Sequence, residues 1–270
     1  MRFLSAHGAA GSPRASLIGA PYDATASFRR GSRFGPDAIR RASESIETYS
    51  PRLDRDLDAL AFADLGNLDL EGLDPAAMVS AIQRGTPTGL PFLLGGEHTV
   101  TLGAVRAIAS RHPGVTVVQW DAHTDLRDEY EGARVSHATV MRRLLDDGRA
   151  LVQLGIRAGT RDEFDVARRH SLHCAPEVAL PPALLDTLRG RPLYLTVDID
   201  VLDPGDAPGT GNPEPDGASY AELLASLRSL AGHRVVGMDL VEVAPALDPS
   251  GRTPIVAAAL VREMLLLYGT

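Results

Sequence analysis

Short apolar runs alternate along this chain with longer segments of helical periodicity. The runs VTVVQW (115–120) and PLYLTV (192–197) are almost continuously apolar, which is typical of strands buried on both faces. This alternation predicts an α/β fold in which a central, mostly parallel sheet lies between two layers of helices, a three-layer α/β/α arrangement.

Seven strands and five helices follow from this pattern. The predicted strands are ASLIGA (15–20), LAFADLG (60–66), PFLLGG (91–96), VTVVQW (115–120), LVQLGI (151–156), PLYLTVDI (192–199) and RVVGMDLVEV (234–243). The predicted helices are GPDAIRRASESIE (35–47), DPAAMVSAIQRG (74–85), TLGAVRAIASRH (101–112), SHATVMRRLLDDG (136–148) and SYAELLASLRSLAG (219–232). Helix ends are further indicated by capping oxygens ahead of proline at Asp74 and Thr253, a capping box at Ser219 and Glu222, and glycine stops at Gly232 and Gly269.

Length, composition and charge limit the class of protein. A chain of 270 residues that is 44% hydrophobic can bury a full core, and we expect residues 1–270 to form a single domain. Its net charge of −8 argues against a nucleic-acid partner. The one cysteine, Cys174, excludes an internal disulfide and is expected to be buried filler in a cytoplasmic protein. The N-terminal residues lack the apolar region of a signal peptide, and no stretch approaches the length needed to span a bilayer, so we expect a soluble intracellular protein.

Charged residues follow four of the predicted strands. They lie in LLGGEHT (93–99), WDAHTD (120–125), LTVDIDVLDP (195–204) and MDLVEV (238–243). In open parallel sheets, ligands bind outside the carboxyl ends of the strands. Each segment alone has an ordinary explanation: His98 can cap a turn, and Asp198 and Asp200 can lie on a solvated edge strand.

Together the four segments predict a metal site. Asp121, Asp125, Asp198 and Asp200 would place four negative charges at adjacent strand ends, where each pair repels by several kcal/mol in a rough Coulomb estimate. Two divalent cations would neutralise them, with His98 and His123 as nitrogen ligands. Mixed nitrogen and oxygen ligands without a thiolate fit manganese best, whereas zinc more often takes fewer ligands and magnesium fewer histidines.

The same motifs resemble those of a known family. GGEHT, DAHTD, SHA (136–138), DIDVLDPGDAPGTGNPEP and DLVEVAP are similar, in order and separation, to the signature motifs of the ureohydrolases, which include arginase, agmatinase and guanidinobutyrase. The resemblance begins at IGAPYDATASFRRGSRFGPDAIR (18–40) and extends nearly to the C-terminus. It implies an arginase-like fold.

The resemblance also implies roles for individual residues. One manganese ion would be held by His98, Asp121, Asp125 and Asp198, and the other by Asp121, His123, Asp198 and Asp200. A hydroxide that bridges the two ions would attack the guanidinium carbon of the substrate, and this chemistry makes Asp125 essential for turnover as well as for metal binding. Glu242 would hold the guanidinium by a charge-assisted fork. His137 would transfer protons, although a helix-capping role is the alternative for this residue.

Loop sequences limit the choice among candidate substrates. The stretch LRDEYEGARVSHA (126–138) looks more like agmatinase than arginase, and so do residues 45–57. We therefore expect a small cationic guanidino substrate, agmatine, with arginine and 4-guanidinobutyrate as alternatives; the acidic Asp128, Glu129 and Glu131 could favour a terminal ammonium. The Pro/Gly-rich residues 203–217 are either a linker or a functional loop, and Asn212 departs from the threonine that the family often has there.

Three further expectations complete the sequence-based view. The resemblance implies a homo-oligomer, a trimer or a hexamer. A dinuclear phosphoesterase or amidohydrolase stays open as a rival and predicts basic groups converging on the metals. A non-catalytic binding protein stays open as well, although it has no chemical reason to keep every ligand.

Overall fold

The computed structural model describes residues 1–7 and 13–269 and is built around one eight-stranded sheet. Its strands are β1 (Ala15–Ala20), β4 (Phe62–Asn67), β5 (Leu90–Gly95), β6 (Thr116–Trp120), β7 (Ala150–Leu154), β8 (His173–Ala175), β9 (Leu193–Asp198) and β10 (Val235–Val241). Their order across the sheet is β4-β1-β5-β10-β9-β6-β7-β8, and each neighbouring pair is parallel. Two short strands, β2 (Tyr49–Ser50) and β3 (Arg55–Asp56), form a separate antiparallel pair.

Helices cover both faces of the sheet. They are α1 (Gly35–Ser43), α2 (Pro75–Gly85), α3 (Val100–Arg111), α4 (Val140–Asp146), α5 (Arg161–His170), α6 (Pro182–Leu188), α7 (Tyr220–Ser229) and α8 (Arg252–Tyr268). One core joins α1, α6, α7 and α8 to strand residues such as Leu17 and Phe92. The other joins α2, α3, α4 and α5 to the adjacent Ile18 and Leu93. Successive strand residues therefore serve opposite layers, and the predicted three-layer α/β/α fold is confirmed.

All seven predicted strands and all five predicted helices are present, with ends that differ by a few residues. The helix predicted from residue 136 begins as a 3-10 turn at His137–Thr139 before α4. The sequence reading missed β8, α5, α6 and the short strands β2 and β3, and it indicated α8 only through residues at its ends. β8 has three half-buried residues at the edge of the sheet, and α5 is largely polar, so neither has the apolar run that predicts a buried element.

Four of the six residues proposed to mark helix ends do so in the structure. Asp74 accepts from the backbone N–H of Ala77, the Ser219–Glu222 capping box is formed, and Gly269 ends α8. Gly232 lies beyond the end of α7 at Ser229 and adopts a positive φ of 84° in the following turn.

The capping role predicted for Thr253 is wrong. α8 begins one residue earlier, at Arg252, and the Thr253 N–H donates to Asp248 Oδ2 at 2.7 Å. Its hydroxyl instead accepts from the backbone N–H of Gly209 at 2.8 Å. Thr253 therefore ties the start of α8 to the loop of residues 203–217.

Within residues 1–7 and 13–269, we found no helix that combines the length and the apolar character needed to cross a membrane.

Candidate metal centre and active site

The four central strands carry the predicted site residues at their carboxyl ends. β5, β10, β9 and β6 are consecutive in the sheet although they are far apart in sequence. Gly96 follows β5 and presses against the backbone of Tyr22, where a Cβ would lie 2.0 Å from the Tyr22 oxygen. This close approach requires glycine, and it sets the direction of the chain that leads to His98.

His98 is the centre of the first cluster of potential ligands. Its Nδ1 lies 3.0 Å from Asp121 Oδ2, 3.1 Å from Asp125 Oδ2 and 3.4 Å from Asp198 Oδ2. Burial lowers the pKa of His98, but interactions with these three carboxylates outweigh burial and raise it well above the usual value. Among the described residues, none gives this buried Nδ1 a well-formed hydrogen bond. A buried imidazole nitrogen that faces several carboxylate oxygens fits a divalent ion.

His123 belongs to a second cluster that shares Asp121 with the first. The His123 Nδ1 lies 2.9 Å from Asp200 Oδ2 and 3.6 Å from Asp121 Oδ1. In each of the groups His98–Asp121–Asp198 and Asp121–His123–Asp200, one potential ligand atom per residue lies within 4.8 Å of the others. The two clusters thus meet through one carboxylate, as a dinuclear centre requires.

Backbone amides hold these carboxylates in place. The His123 N–H donates to Asp121 Oδ1 at 2.6 Å, and the Ala122 N–H donates to Asp200 Oδ1 at 3.0 Å. The N–H of Asp200, in the 3-10 turn Ile199–Val201 after β9, donates to Asp198 Oδ1 at 2.9 Å. Each strand end therefore orients acids of its own or of the neighbouring segment, and the Gln119 side-chain amide also donates to Asp121 Oδ2 at 2.7 Å.

The neighbouring carboxylates change one another's pKa values. Burial raises the pKa of Asp198 well above its usual range, and Asp200 and Asp121 raise it further. Burial and the charge of Asp121 also raise the pKa of Asp125 to about 6. Acids with this disfavoured charge gain most from a nearby cation.

Asp125 and Glu242 both have a left-handed backbone, with φ values of 53° and 64°. Such conformations are unfavourable for non-glycine residues and are often found at functional sites. Hydrogen bonds support both: the N–H groups of Met141 and Arg142 donate to the Asp125 oxygen, and the Glu242 N–H donates to the Gly96 oxygen at 2.8 Å.

A cavity of about 530 Å³ opens above the two clusters. Its lining includes His98, Asp125, His137, Asp198, Asp200 and Glu242. Glu242 follows β10 and accepts from the His98 N–H at 2.9 Å. Burial raises the pKa of Glu242 to about 8, against the opposing charge of His137. Five of the six predicted metal ligands and the predicted guanidinium-binding carboxylate thus line one cavity, and the sixth ligand, Asp121, contacts His98 and His123 beside it.

His137 lies in the cavity wall and belongs to neither of the two ligand clusters formed by the described residues. Its Nδ1 is 3.6 Å from Glu97 Oε2, and its Nε2 is 3.3 Å from Ser27 Oγ. Burial lowers the pKa of His137, but Glu97 and more distant acids outweigh burial and raise it to about 9. Ser136, rather than His137, caps the 3-10 turn, so the capping alternative for His137 is wrong.

The loop of residues 126–138 reaches the cavity through Arg127 and Tyr130. Asp128 instead pairs with Arg143 at 2.5 Å, and Glu129 and Glu131 are not among the lining residues. The expected attraction of an ammonium by these three acids therefore has no support from the structure.

Residues 203–217 form part of the cavity wall, as Thr210, Gly211, Asn212, Pro213 and Glu214 line it. This finding favours a functional loop over a linker. Glu214 Oε1 lies 3.8 Å from His123 Nε2. The loop is therefore the part of the wall that borders the second cluster.

Sequence reasoning missed Glu97 and Thr25. Glu97 is fully buried, accepts from the Thr25 N–H at 2.8 Å, and contacts His137. Its signal was present in GGEHT, where an acid directly precedes the ligand histidine. Thr25 had no such signal, because it lies in a loop far from every other site residue in sequence.

The similarity to known proteins covers nearly the whole chain. A model of the arginase family matches residues 13–267. The agmatinase of Bacillus subtilis is 42% identical over 263 residues, which cover 93% of this chain and 91% of that relative. The guanidinobutyrase of Pseudomonas aeruginosa is 35% identical over 272 residues, which cover 93% of this chain and 85% of that relative. The crystal structure of agmatine ureohydrolase of Thermoplasma volcanium has a TM-score of 0.87 at 32% identity, covering 98% of this chain and 93% of that one.

Proposed function

Since this chain belongs to the arginase family of metal-dependent hydrolases, we propose that it hydrolyses the guanidinium group of agmatine to urea and putrescine. The observation that carries the proposal is the pair of ligand clusters sharing Asp121 at the base of the cavity that Glu242 also lines. A guanidinium held by that carboxylate would present its carbon to the metal centre.

Two manganese ions are the proposed cofactors. His98, Asp121, Asp125 and Asp198 would hold one ion, and Asp121, His123, Asp198 and Asp200 the other. Ions held by these residues would lower the pKa of bound water and so would supply a hydroxide nucleophile for the guanidinium carbon. The mixed imidazole and carboxylate donors support this choice of metal.

Glu242 and His137 are proposed to bind the substrate and to move protons. The backbone N–H of His98 fixes one oxygen of Glu242, so the carboxylate is oriented before substrate enters. The acids near His137, Glu97 first among them, raise its pKa to about 9 and keep it protonated at neutral pH. A protonated imidazole in the cavity wall can give its proton to the departing amine.

The cavity wall supports a substrate with a cationic rather than an anionic tail. Both arginines in the lining are engaged: Arg29 donates to the Thr210 and Gly211 oxygens at 2.9 and 3.0 Å, and Arg127 lies 3.5 Å from Glu163. These contacts compete with the binding of a substrate carboxylate, which arginine and 4-guanidinobutyrate carry. The same engagement disfavours the rival phosphoesterase, which needs basic groups at the metals. The higher identity to an agmatinase than to a guanidinobutyrase is in line with this reading.

Three predictions about the whole protein stay proposals. The single sheet that takes strands from Ala15 to Val241 supports one domain over residues 1–270. The trimer or hexamer is inferred from the family, and the cytoplasmic location from the single cysteine.

Cys174 lies half-buried in β8 rather than in the core, and burial raises the pKa of its thiol to about 11, which keeps it unreactive.

A urea assay tests the function. Metal-free protein would be incubated with and without manganese and offered agmatine, arginine and 4-guanidinobutyrate in parallel. We expect manganese-dependent urea release from agmatine at the highest kcat/KM. Release from arginine alone would contradict the substrate, and the absence of urea from all three compounds would contradict the enzymatic proposal.

A further inference from the structure

A buried polar cluster lies directly behind His98, on the side away from the cavity. His98 Nε2 is 2.8 Å from the hydroxyl of Thr196, which is fully buried in β9. Thr196 is paired across the sheet with Asp239 of β10. Asp239 is also fully buried, in the middle of a strand where an apolar residue would be the ordinary choice.

Hydroxyl groups approach one oxygen of the Asp239 carboxylate, Oδ2, whereas its buried Oδ1 has no hydrogen-bond partner among the described residues. Tyr194 and Thr101 donate to its Oδ2 at 2.7 and 2.8 Å. Burial raises the pKa of Asp239, while His98 and the hydroxyls, that of Thr196 first among them, oppose the shift. None of these contacts reaches the cavity, so a catalytic role in contact with substrate is excluded for Asp239.

The direction of the hydrogen bonds follows from what each group can do. A carboxylate accepts only, and Thr196 is paired with Asp239 across the sheet, so its hydroxyl is the group placed to donate toward the buried, unpartnered Asp239 Oδ1 while it offers a lone pair to His98. Nε2 of His98 must then carry the proton, which leaves the Nδ1 lone pair facing Asp121, Asp125 and Asp198. That is the tautomer a metal ligand requires, and histidine ligands are commonly fixed in this way by a carboxylate.

We propose that Asp239, acting through the Thr196 hydroxyl, is a positioning residue that fixes the Nε2-protonated tautomer of His98 and thereby strengthens metal binding at the first cluster. The inference rests on the metal centre of the proposed function. Its effect is confined to the ion that His98 holds, because His123 contacts neither Thr196 nor Asp239 among its described partners.

Calorimetric titration of the metal-free protein with manganese tests the inference without any activity measurement. Thr196→Val and Asp239→Asn should weaken the binding of one ion by about 10- to 100-fold, whereas Thr196→Ser, which restores the hydroxyl, should bind like the wild type. Thr101→Val is the matched control: it also removes one hydroxyl from Asp239, but Thr101 contacts His98 only through its backbone N–H, which donates to the His98 oxygen at 3.1 Å and which the substitution keeps. It should change the affinity less than about threefold.

The outcomes separate the two proposals. Wild-type protein that binds no manganese would overturn the metal centre and, with it, this inference. Wild-type binding that Thr196→Val leaves unchanged, or that Thr101→Val weakens as much as Thr196→Val does, would overturn the positioning role alone. Should Thr196→Val fail to fold, as judged by thermal melting, Asp239→Asn and Thr196→Ser make the comparison.

Discussion

Glu242 combines a left-handed backbone with a buried carboxylate whose one oxygen is held by the His98 N–H. Neither ligand cluster formed by the described residues includes Glu242, so we assign its carboxylate to the substrate rather than to the ions. A bound guanidinium would also favour the charged form of Glu242, which burial disfavours.

Glu242→Gln keeps the shape of the side chain but removes the charge-assisted hydrogen bonds to a guanidinium. A hydrogen bond to a charged group contributes about 1.5–3 kcal/mol, so kcat/KM for agmatine should fall about 10- to 100-fold. Steady-state kinetics measure this loss, and calorimetry should find manganese affinity unchanged. An unaltered kcat/KM would exclude the role assigned to Glu242.

The titration of His137 depends on Glu97. Because Glu97 helps to raise the pKa of His137 to about 9, Glu97→Gln should lower that pKa by about one unit, which corresponds to the loss of one charge 3.6 Å from Nδ1. If protonated His137 delivers a proton to the leaving amine, the alkaline limb of the kcat–pH profile should move to lower pH by the same amount.

Ser27→Ala is the control for this shift, because Ser27 contacts the other nitrogen of His137 without carrying a charge. Its alkaline limb should stay in place. Manganese content is measured in both variants, since Glu97 adjoins His98. A fully metal-loaded Glu97→Gln enzyme with an unmoved alkaline limb would rule out His137 as the proton donor.

At the scale of the element, the start of α8 links helix stability to the cavity wall. Asp248 accepts from the Thr253 N–H at 2.7 Å, and Thr253 in turn binds Gly209 of the loop of residues 203–217. Burial acts to raise the pKa of Asp248, but hydrogen bonds from Ser250 and Thr253 outweigh it and lower the pKa.

Asp248→Ala should lower the free energy of unfolding by about 1–2 kcal/mol, the usual cost of losing a helix-capping side chain. Because the pKa is depressed in the folded state, this stabilisation is present above the pKa of the unfolded chain and is lost as pH falls through the folded value. Urea denaturation at pH 7 and at pH 3 measures the difference between wild type and variant, which should shrink at pH 3. An equal difference at both pH values would mean that the charge of Asp248 is unimportant.

The elements that were predicted from the sequence share a marked pattern of apolar residues. A strand such as β9 is apolar on both faces, so its burial and its parallel neighbours follow from composition alone. α5 was missed because its turns are mostly polar, and its position is fixed instead by the capping box of Thr160 and Glu163, which contacts Thr124 beside the site. Contacts of this kind depend on the tertiary fold, and local periodicity does not contain them.

At the scale of the whole molecule, the order of the strands in the sheet could not be predicted from the sequence. The ligands were recognised by residue type and by their place after apolar runs. Their meeting depends on β9 and β10 lying between β5 and β6, which precede them in the chain. The same insertion brings Asp239 beside Thr196, and neither residue stood out in the sequence because each lies inside an apolar strand.

The convergence of four aspartates at the centre of the sheet also makes the stability of the molecule depend on metal. An ion present at 100 times its Kd stabilises the folded state by about 2.7 kcal/mol, and each kcal/mol raises the Tm of a chain of this size by about 2–4 °C. Adding manganese to metal-free protein should therefore raise the Tm by about 5 °C or more per bound ion, as measured by calorimetry.

For Asp198→Asn, we expect the presence of manganese to decide whether the variant or the wild type is the more stable protein. Burial and its acidic neighbours raise the pKa of Asp198 well above the unfolded value, so in metal-free protein this residue destabilises the fold as pH rises through that range. The variant should melt above the wild type in the presence of a chelator and below it in manganese, because it has lost a ligand but also a repelling charge. Asp206→Asn, a neutralisation outside both clusters, should show no such crossing. A variant that melts below the wild type in both conditions would mean that the acids are held together by the fold without need of a cation.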